Sequence, residues 1–397
     1  MSSRHFSQFA EELVKRGWEV TALASNRYCR YPDQKIEKRE EIWNQIRIIR
    51  IWRPAWNQAH KFLRLANSIW MILGWFFKIL MLPRKDVIIL GTDPQFSPLL
   101  FFGLKWFVPK SKLVHWCYDL YPEAIISDGA KGASLWFARR FKKWMGWAYK
   151  RVDLMVDIGP CMRKRLDAYH HRARAETLVP WALVEPDQIE SGDFQVRRKL
   201  FGDAKLGLLY SGNMGKAHDF SLFLQLAREL RVKNSKVVFC FACRGNRFQE
   251  LREAVTLEDS NIRFASFANE EDLEKRLNAA DIHLASLRSE WDGVVVPSKF
   301  FGSLAVGKPV IYAGSENSSL AEWIREFKVG LILTDQNISS VRDEILKIAE
   351  SPQQLQLSRE NAYNVYRRFF SKKVVMDKWN RALRDLIQNS EREVELN

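Results

Sequence analysis

The sequence predicts an α/β protein built from two doubly wound domains. Its 397 residues are enough for two domains of ordinary size. A hydrophobic share of 47% can fill two packed cores. From residue 206 onward, short apolar runs alternate with helical stretches, which is the mark of a parallel sheet covered on both faces.

Residues 5–16 read as a helix. Phe6, Phe9, Ala10, Leu13 and Val14 recur at helical spacing, and Gly17 stops it. Residues 18–25 read as a buried strand. A nucleotide-type α/β domain usually opens with a strand and a glycine-rich turn before its first helix. This sequence opens on the helix, so the N-terminal domain is expected to lack its first strand. Residues 46–52 form the next strand. Residues 62–82 are mostly apolar and long enough to span a bilayer. Arg64, Asn67, Ser68, Gly74 and Lys78, however, recur at steps of three and four, which predicts an amphipathic helix. The first expectation for its apolar side is core packing, the second a bilayer surface, and a true span comes last.

Residues 86–91 read as a strand ending at Thr92-Asp93-Pro94, and residues 96–107 as a helix with Pro98 in its first turn. The strand at 112–116 runs into Cys117-Tyr118-Asp119-Leu120-Tyr121-Pro122-Glu123. Residues 134–150 form a basic helix with interleaved aromatics: Arg139, Arg140, Lys142, Lys143 and Lys150 among Trp136, Phe137, Phe141, Trp144 and Trp147. A strand at 154–159, a helix at 161–169 and a strand at 176–179 follow, and the polar stretch 185–193 reads as a linker. Later strands are predicted at 206–211, 236–242, 262–264, 282–286, 309–312 and 330–333. Two helices close the chain, at 353–370 and 373–389, with no strand between them.

The formal charge of +15 is uneven: residues 1–185 hold 31 Lys and Arg against 17 Asp and Glu. A basic face of this kind suits nucleic acid, anionic lipid or a phosphorylated substrate. The five cysteines, Cys29, Cys117, Cys161, Cys240 and Cys243, form no disulfide framework, which points to a reducing compartment. Cys240 and Cys243 have C-x-x-C spacing inside an apolar strand, where core thiols are expected rather than zinc or redox chemistry. No signal peptide is read at the N-terminus.

Two loops carry the chemistry. The strand at 206–211 ends in Ser211-Gly212-Asn213-Met214-Gly215-Lys216-Ala217-His218-Asp219-Phe220, followed by a helix. Its glycines let the backbone approach a ligand, Lys216 and His218 add charge, and Asp219 is placed to cap the helix. The bland alternative is an ordinary strand-to-helix turn. The polar loop Arg288-Ser289-Glu290-Trp291-Asp292-Gly293 runs into Pro297-Ser298-Lys299-Phe300-Phe301-Gly302. There a short helix with Lys299 in its first turn suits a phosphate, because free N–H groups and the helix dipole favour an anion. Two basic loops at one sheet edge make a more specific signal than either alone.

These segments resemble the family 4 retaining glycosyltransferases of surface-polysaccharide assembly. The resemblance rests on Tyr210-Ser211-Gly212-Asn213-Met214-Gly215-Lys216-Ala217-His218, on 280–299, on Gly307-Lys308-Pro309-Val310, and on the helix and strand at 4–20. More narrowly, the chain is similar to the WbuB-like aminosugar transferases of O-antigen synthesis. The resemblance implies the GT-B fold: two Rossmann-like domains facing across a cleft, 1–184 for the acceptor and 185–371 for the nucleotide sugar, with residues 372–397 as a helix returning to the first domain. It implies a UDP-sugar donor, no metal or other cofactor, and a lipid-linked (polyprenyl-diphosphate) glycan as acceptor. Work on the cytoplasmic, inner face of the plasma membrane is also implied.

The residues follow by position. Lys216 and Lys299 would stabilise the leaving diphosphate, and His115 and Asp119 would meet the donor sugar and the acceptor hydroxyl. For His115, a strand-end histidine with a local hydrogen bond is an equal reading. Gly212, Asn213, His218, Arg288, Glu290, Asp292 and Ser298 would line the donor site. Gly245 and Arg247 would join them, although turn duty competes there. Arg139, Arg140, Lys142 and Lys143 would meet the acceptor and an anionic membrane surface. The sequence departs from the family at Val294 and Gly302, where two glutamates are usual. Three other readings compete: a non-catalytic relative that only binds sugar nucleotides or scaffolds an assembly, a sugar-nucleotide epimerase of similar fold, and a nucleic-acid binder. The last is ranked below the rest because no nucleic-acid module is recognised.

Overall fold

The computed structural model describes residues 2–28, 31, 33–57, 60–233, 236–267 and 271–395. Cys29 lies outside the described residues. The chain divides into two units. One is Met1–Leu178 with Met376–Asn397, and the other is Val179–Val375.

The first unit holds strands β1 (Thr21–Ser25), β2 (Glu40–Trp43), β3 (Ile46–Ile51), β4 (Val87–Leu90), β5 (Lys112–Trp116), β6 (Leu154–Asp157) and β7 (Arg174–Thr177). They form two sheets, ordered β1-β3-β2 and β4-β5-β6-β7. The four-stranded sheet is parallel throughout, with β5 and β6 almost wholly buried. β2 pairs antiparallel with β3 and was not read from the sequence. Its Glu40 and Glu41 face Arg47 and Arg50, and a short charged edge strand has no apolar alternation to betray it. The helices are α1 (Ser2–Lys15), α2 (Lys61–Met81), α3 (Leu100–Phe107), α4 (Glu123–Ser127), α5 (Gly132–Tyr149) and α6 (Pro160–Asp167).

The second unit has one six-stranded parallel sheet. Its strands are β8 (Leu206–Asn213), β9 (Val237–Arg244), β10 (Ile262–Phe264), β11 (Ile282–Ser286), β12 (Val310–Ala313) and β13 (Gly330–Leu333), ordered β10-β9-β8-β11-β12-β13. The chain therefore lays down β8, adds strands on one side, then returns to add strands on the other. Such a reversal leaves the loops after β8 and β11 diverging, and that is where open parallel sheets bind ligands. The helices are α7 (Phe194–Phe201), α8 (Ser221–Val232), α9 (Asn246–Ala254), α10 (Leu273–Asn278), α11 (Lys299–Ala305), α12 (Ser319–Phe327), α13 (Ile338–Glu350) and α14 (Pro352–Val365). Cys240 and Cys243 sit in β9, buried, and burial pushes both thiols up to about 12.

The last helix, α15 (Lys372–Glu395), belongs to the first unit from Met376 on. Trp379 is fully buried there. Its ring centroid lies 4.9 Å from Phe9 of α1 and 4.9 Å from Trp116 of β5, which is also fully buried. Trp18 Nε1 donates to Asn380, and Arg16 pairs with Asp377 at 2.8 Å. In the second unit the Glu185 carboxylate takes the Tyr366 hydroxyl and the Lys372 backbone N–H, so one buried-side anion ties two distant stretches of chain.

Helix α2 overturns the core-packing expectation. Among its described side chains only Asn67, Ser68 and Met71 are buried, and just 17% of the apolar stretch Phe62–Met81 lies inside the protein. Two residues of the polar stripe face inward, while Arg64 is exposed: Asn67 donates to the Trp56 carbonyl, and Ser68 bonds back to the Arg64 carbonyl. Phe62, Ile69, Leu73, Phe77 and Met81 point outward. The helical spacing was read correctly, but the side assigned to the core was the wrong one. The inner contacts combine Asn67 and Ser68 with Met71, with Ile51 against Gly74 and Phe76 seated over Gly103 of α3.

Trp379→Ala removes a fully buried indole between two aromatic partners and is expected to cost the first unit about 3–5 kcal/mol. A urea titration followed by tryptophan fluorescence should show a lowered midpoint for that unit's transition. An unchanged midpoint would mean the helix does not hold the unit together.

Candidate functional site

The loops after β8 and β11 meet at the switch point of the second sheet. The Arg288 N–H donates to the Ala217 carbonyl at 2.9 Å, and Asp219 N donates to Ser286 Oγ at 3.3 Å. Between them lie His218 and Lys299. Lys299 Nζ donates to the Asn213 carbonyl at 2.8 Å, reaches Nε2 of His218 at 3.5 Å, and sits 5.0 Å from the centre of the Tyr210 ring.

His218 Nδ1 lies 2.6 Å from the Ser286 carbonyl, which can only accept. Nδ1 therefore carries the proton, and the lone pair of Nε2 faces the Lys299 ammonium. Desolvation, then the Lys299 charge, push the histidine down to about 3. This corrects the sequence reading: His218 is neutral at neutral pH and adds no charge to the loop. Desolvation also brings Lys299 down to about 8. It keeps a full positive charge at pH 7 in a partly dry setting, where an arriving anion would gain most.

Gly212 has φ of +127°, and a Cβ there would stand 3.0 Å from Lys299 Cε. Gly245 has φ of +123°, and a Cβ would collide with the Met214 carbonyl at 2.5 Å. Only glycine keeps these turns flat beneath the lysine. Asp219 stands one residue before Phe220, the N-cap of α8, and its Oδ1 accepts from Phe220 N, Ser221 N and Ser221 Oγ. It also holds Arg247, which pairs with Glu250 and lies over the Phe220 ring. Arg247 is thus committed to the turn. Lys216 is exposed on the same loop, and Asn213 presents its side chain to solvent. Arg288 and Glu290 pair at 3.5 Å, Asp292 is half-buried behind them, and Ser298 precedes α11. Lys299 opens α11, but its side chain reaches across to the end of β8.

In the first unit, His115 is fully buried in β5. Its Nδ1 lies 3.0 Å from the Leu90 carbonyl, and its ring stacks on Tyr149. Burial holds it neutral, at about 4. It has no solvent face through which to meet a donor sugar, and the reading as a strand-end histidine with a local hydrogen bond describes what it does. Asp119 reaches solvent on the loop after β5, and its backbone N–H donates to Thr92 Oγ1. Desolvation first, and the charge of Asp93 second, raise it to about 6. Arg139, Arg140 and Lys143 are exposed on α5, while Lys142 pairs with buried Glu123 at 3.2 Å.

Sequence reasoning missed Ser286, whose carbonyl fixes the His218 tautomer, Tyr210 beneath Lys299, and Asp93, which is itself raised by desolvation. Ser286 ends β11, Tyr210 is a buried residue inside β8, and Asp93 lies in the loop after β4, so only the serine's position gave a signal. Among the described residues, no group of three His, Cys, Asp or Glu side chains is placed to hold a metal ion.

Residues 2–181 match the family described as "Glycosyl transferase 4-like domain", and residues 193–365 match "Glycosyl transferases group 1". The chain belongs to the GT-B glycosyltransferases. Within this family it is similar to a probable glycosyltransferase, WbjE, of Pseudomonas aeruginosa, at 27% identity over 259 residues. That match spans 62% of each chain. The GT-B fold is shared with a sucrose-phosphate synthase from Thermosynechococcus elongatus, at a TM-score of 0.72 and 13% identity, covering 98% of this chain and 94% of that one. It is also shared with HepE of Anabaena, solved in complex with UDP, at a TM-score of 0.61 and 11% identity, covering 85% and 86%.

In this GT-B chain Lys299 loses its charge as pH rises through about 8, because burial has lowered its pKa below that of free lysine. Affinity for an added inorganic anion such as sulfate is therefore expected to fall above pH 8, by up to about tenfold per pH unit. Lys299→Met should bind more weakly at pH 7 and lose that slope. Isothermal titration calorimetry across pH 7 to 10 reads both, and parallel slopes for the two proteins would exclude Lys299 from the anion site.

Proposed function

We propose that the protein is a retaining glycosyltransferase that moves a sugar from UDP to a lipid-linked glycan in surface-polysaccharide assembly. An N-acetylated aminosugar is the favoured cargo. The observation that carries the reading is a partly dehydrated lysine, Lys299, held against a neutral His218 at the switch point of a nucleotide-type sheet. This is a place to hold a diphosphate.

In the reaction, the bond from the sugar's anomeric carbon to the diphosphate oxygen breaks as the acceptor hydroxyl attacks from the same face. The departing diphosphate takes the hydroxyl proton. Negative charge grows on the diphosphate, and Lys299 stabilises it, with Lys216 nearby on the loop. Asp119 accepts a hydrogen bond from the acceptor. No metal is required by this scheme. The resemblance to WbuB-like enzymes supports the aminosugar, and the outward apolar face of α2 supports a workplace at the inner face of the plasma membrane.

One observation favours the reading as a binding-only relative. Val294 is fully buried and Gly302 faces open space, so neither position brings a carboxylate to the donor. UDP release with a panel of UDP-sugars and a membrane lipid extract separates the two. Release that needs one sugar and the lipid is expected, and Lys299→Ala should lose about 10²–10³ of it. UDP binding without release, for every sugar, would establish the binding-only relative.

A second outcome concerns pH. Asp119 is ionised only above about 6, so turnover should rise as pH climbs through that value. Asp119→Asn should be slow and should flatten the acid limb of the profile. An acid limb that survives unchanged would assign it to another group.

A further inference from the structure

Helix α5 is exposed around most of its circumference; only Ala138, Met145, Ala148 and Tyr149 are buried. Arg139, Lys142, Lys143, Gly146, Trp147 and Lys150 fall on one stripe at steps of three and four, and they line an open hollow of about 440 Å³. Ala168 and Tyr169, at the end of α6, close its far side. Inside the hollow, Lys142 is matched by Glu123, which also accepts the Tyr169 hydroxyl at 2.6 Å. Among the described residues, Arg139, Lys143 and Lys150 have no carboxylate partner. Three uncompensated cations around one concavity call for an anion with several acceptor oxygens.

The hollow opens beside an apolar face. Trp147 stands edge-on to Phe102 of α3, and at the other end of α3 Phe107 stands edge-on to Phe76 of α2. The outward residues Trp144, Trp147, Trp106, Phe107, Phe77 and Met81 thus extend across three neighbouring helices, with Trp106 76% exposed. A polynucleotide would satisfy the cations and leave these rings in water. A second copy of the chain would cover the rings but bring like charges together. An anionic bilayer satisfies both, because its phosphates lie at the depth where tryptophan rings rest and lysine side chains can reach outward.

We infer that the hollow beside α5 binds the phosphate of a membrane lipid while the outward face of α2 and α3 lies in the bilayer surface. The inference rests on the reading that the protein works at a membrane, and it does not depend on which sugar is moved. It makes α2 an in-plane helix whose Asn67 and Ser68 face its own protein.

The test is vesicle flotation of the full chain with no donor present, so that sugar transfer, read separately by UDP release, cannot influence it. Binding is expected to vesicles of phosphatidylcholine mixed with phosphatidylglycerol, and not to phosphatidylcholine alone. Lys143→Ala/Lys150→Ala should weaken binding about thirtyfold. Lys131→Ala/Arg140→Ala removes the same charge from outside the hollow and should cost clearly less. Trp106→Ala/Phe107→Ala should release the protein from the mixed vesicles without changing its charge. Circular dichroism melts confirm that each variant is folded. Equal losses from the two charge-removing pairs would overturn the hollow in favour of diffuse attraction. Binding to a polynucleotide but not to the mixed vesicles, or dimerisation with no vesicle binding, would overturn the inference entirely.

Discussion

A parallel sheet that grows outward in both directions from its first strand can open at one place only. In the second unit that place is the gap between the loops after β8 and β11. Helices on either side turn away from it, so the backbone there can face a ligand without breaking the packing elsewhere. The surrounding details serve that gap. Gly212 and Gly245 keep its floor flat, Ser286 sets which nitrogen of His218 carries a proton, and Asp219 anchors the helix behind it. Lys299 then brings in a charge at some desolvation cost, and an anion would offset that cost on arrival.

Much of this is legible in the sequence. The strand–helix alternation announced the six-stranded sheet, because fully buried parallel strands read as continuous apolar runs. Gly212 and Lys299 stood out because a glycine turn and a lysine beside a helix start have few other uses. Ser286 and Tyr210 did not, since a strand-end serine and a core tyrosine look alike whether or not they orient a neighbour. His218 was visible but its charge was not: protonation depends on what the other nitrogen touches and how dry the site is. β2 escaped notice for the opposite reason, since cross-strand ion pairs rather than apolar contacts hold it.

Helix α2 shows a limit of a different kind. Periodicity identifies two faces, but it does not say which of them meets the protein. In water the apolar side goes inward, and that assumption supplied the expectation. Here a narrow stripe of Asn67, Ser68 and Met71 suffices for docking, and the apolar side is left outside. The excess positive charge of the N-terminal half lies in the same unit as that face. Charge and apolar exposure together describe a surface fitted to two solvents.

The place of α15 has a consequence for how the protein is made. The first unit gathers its core around Trp116, Phe9 and Trp379, and Trp379 is synthesised only after residues 179–375. All of the second unit, residues 179–375, emerges in between. Domains usually fold in the order in which the ribosome delivers them. Here the first unit is completed only after the second has emerged, and its unfinished aromatic surface, α2 included, must wait exposed while a whole second domain folds. Over that interval a chaperone or a nearby bilayer would decide whether the nascent chain matures or aggregates.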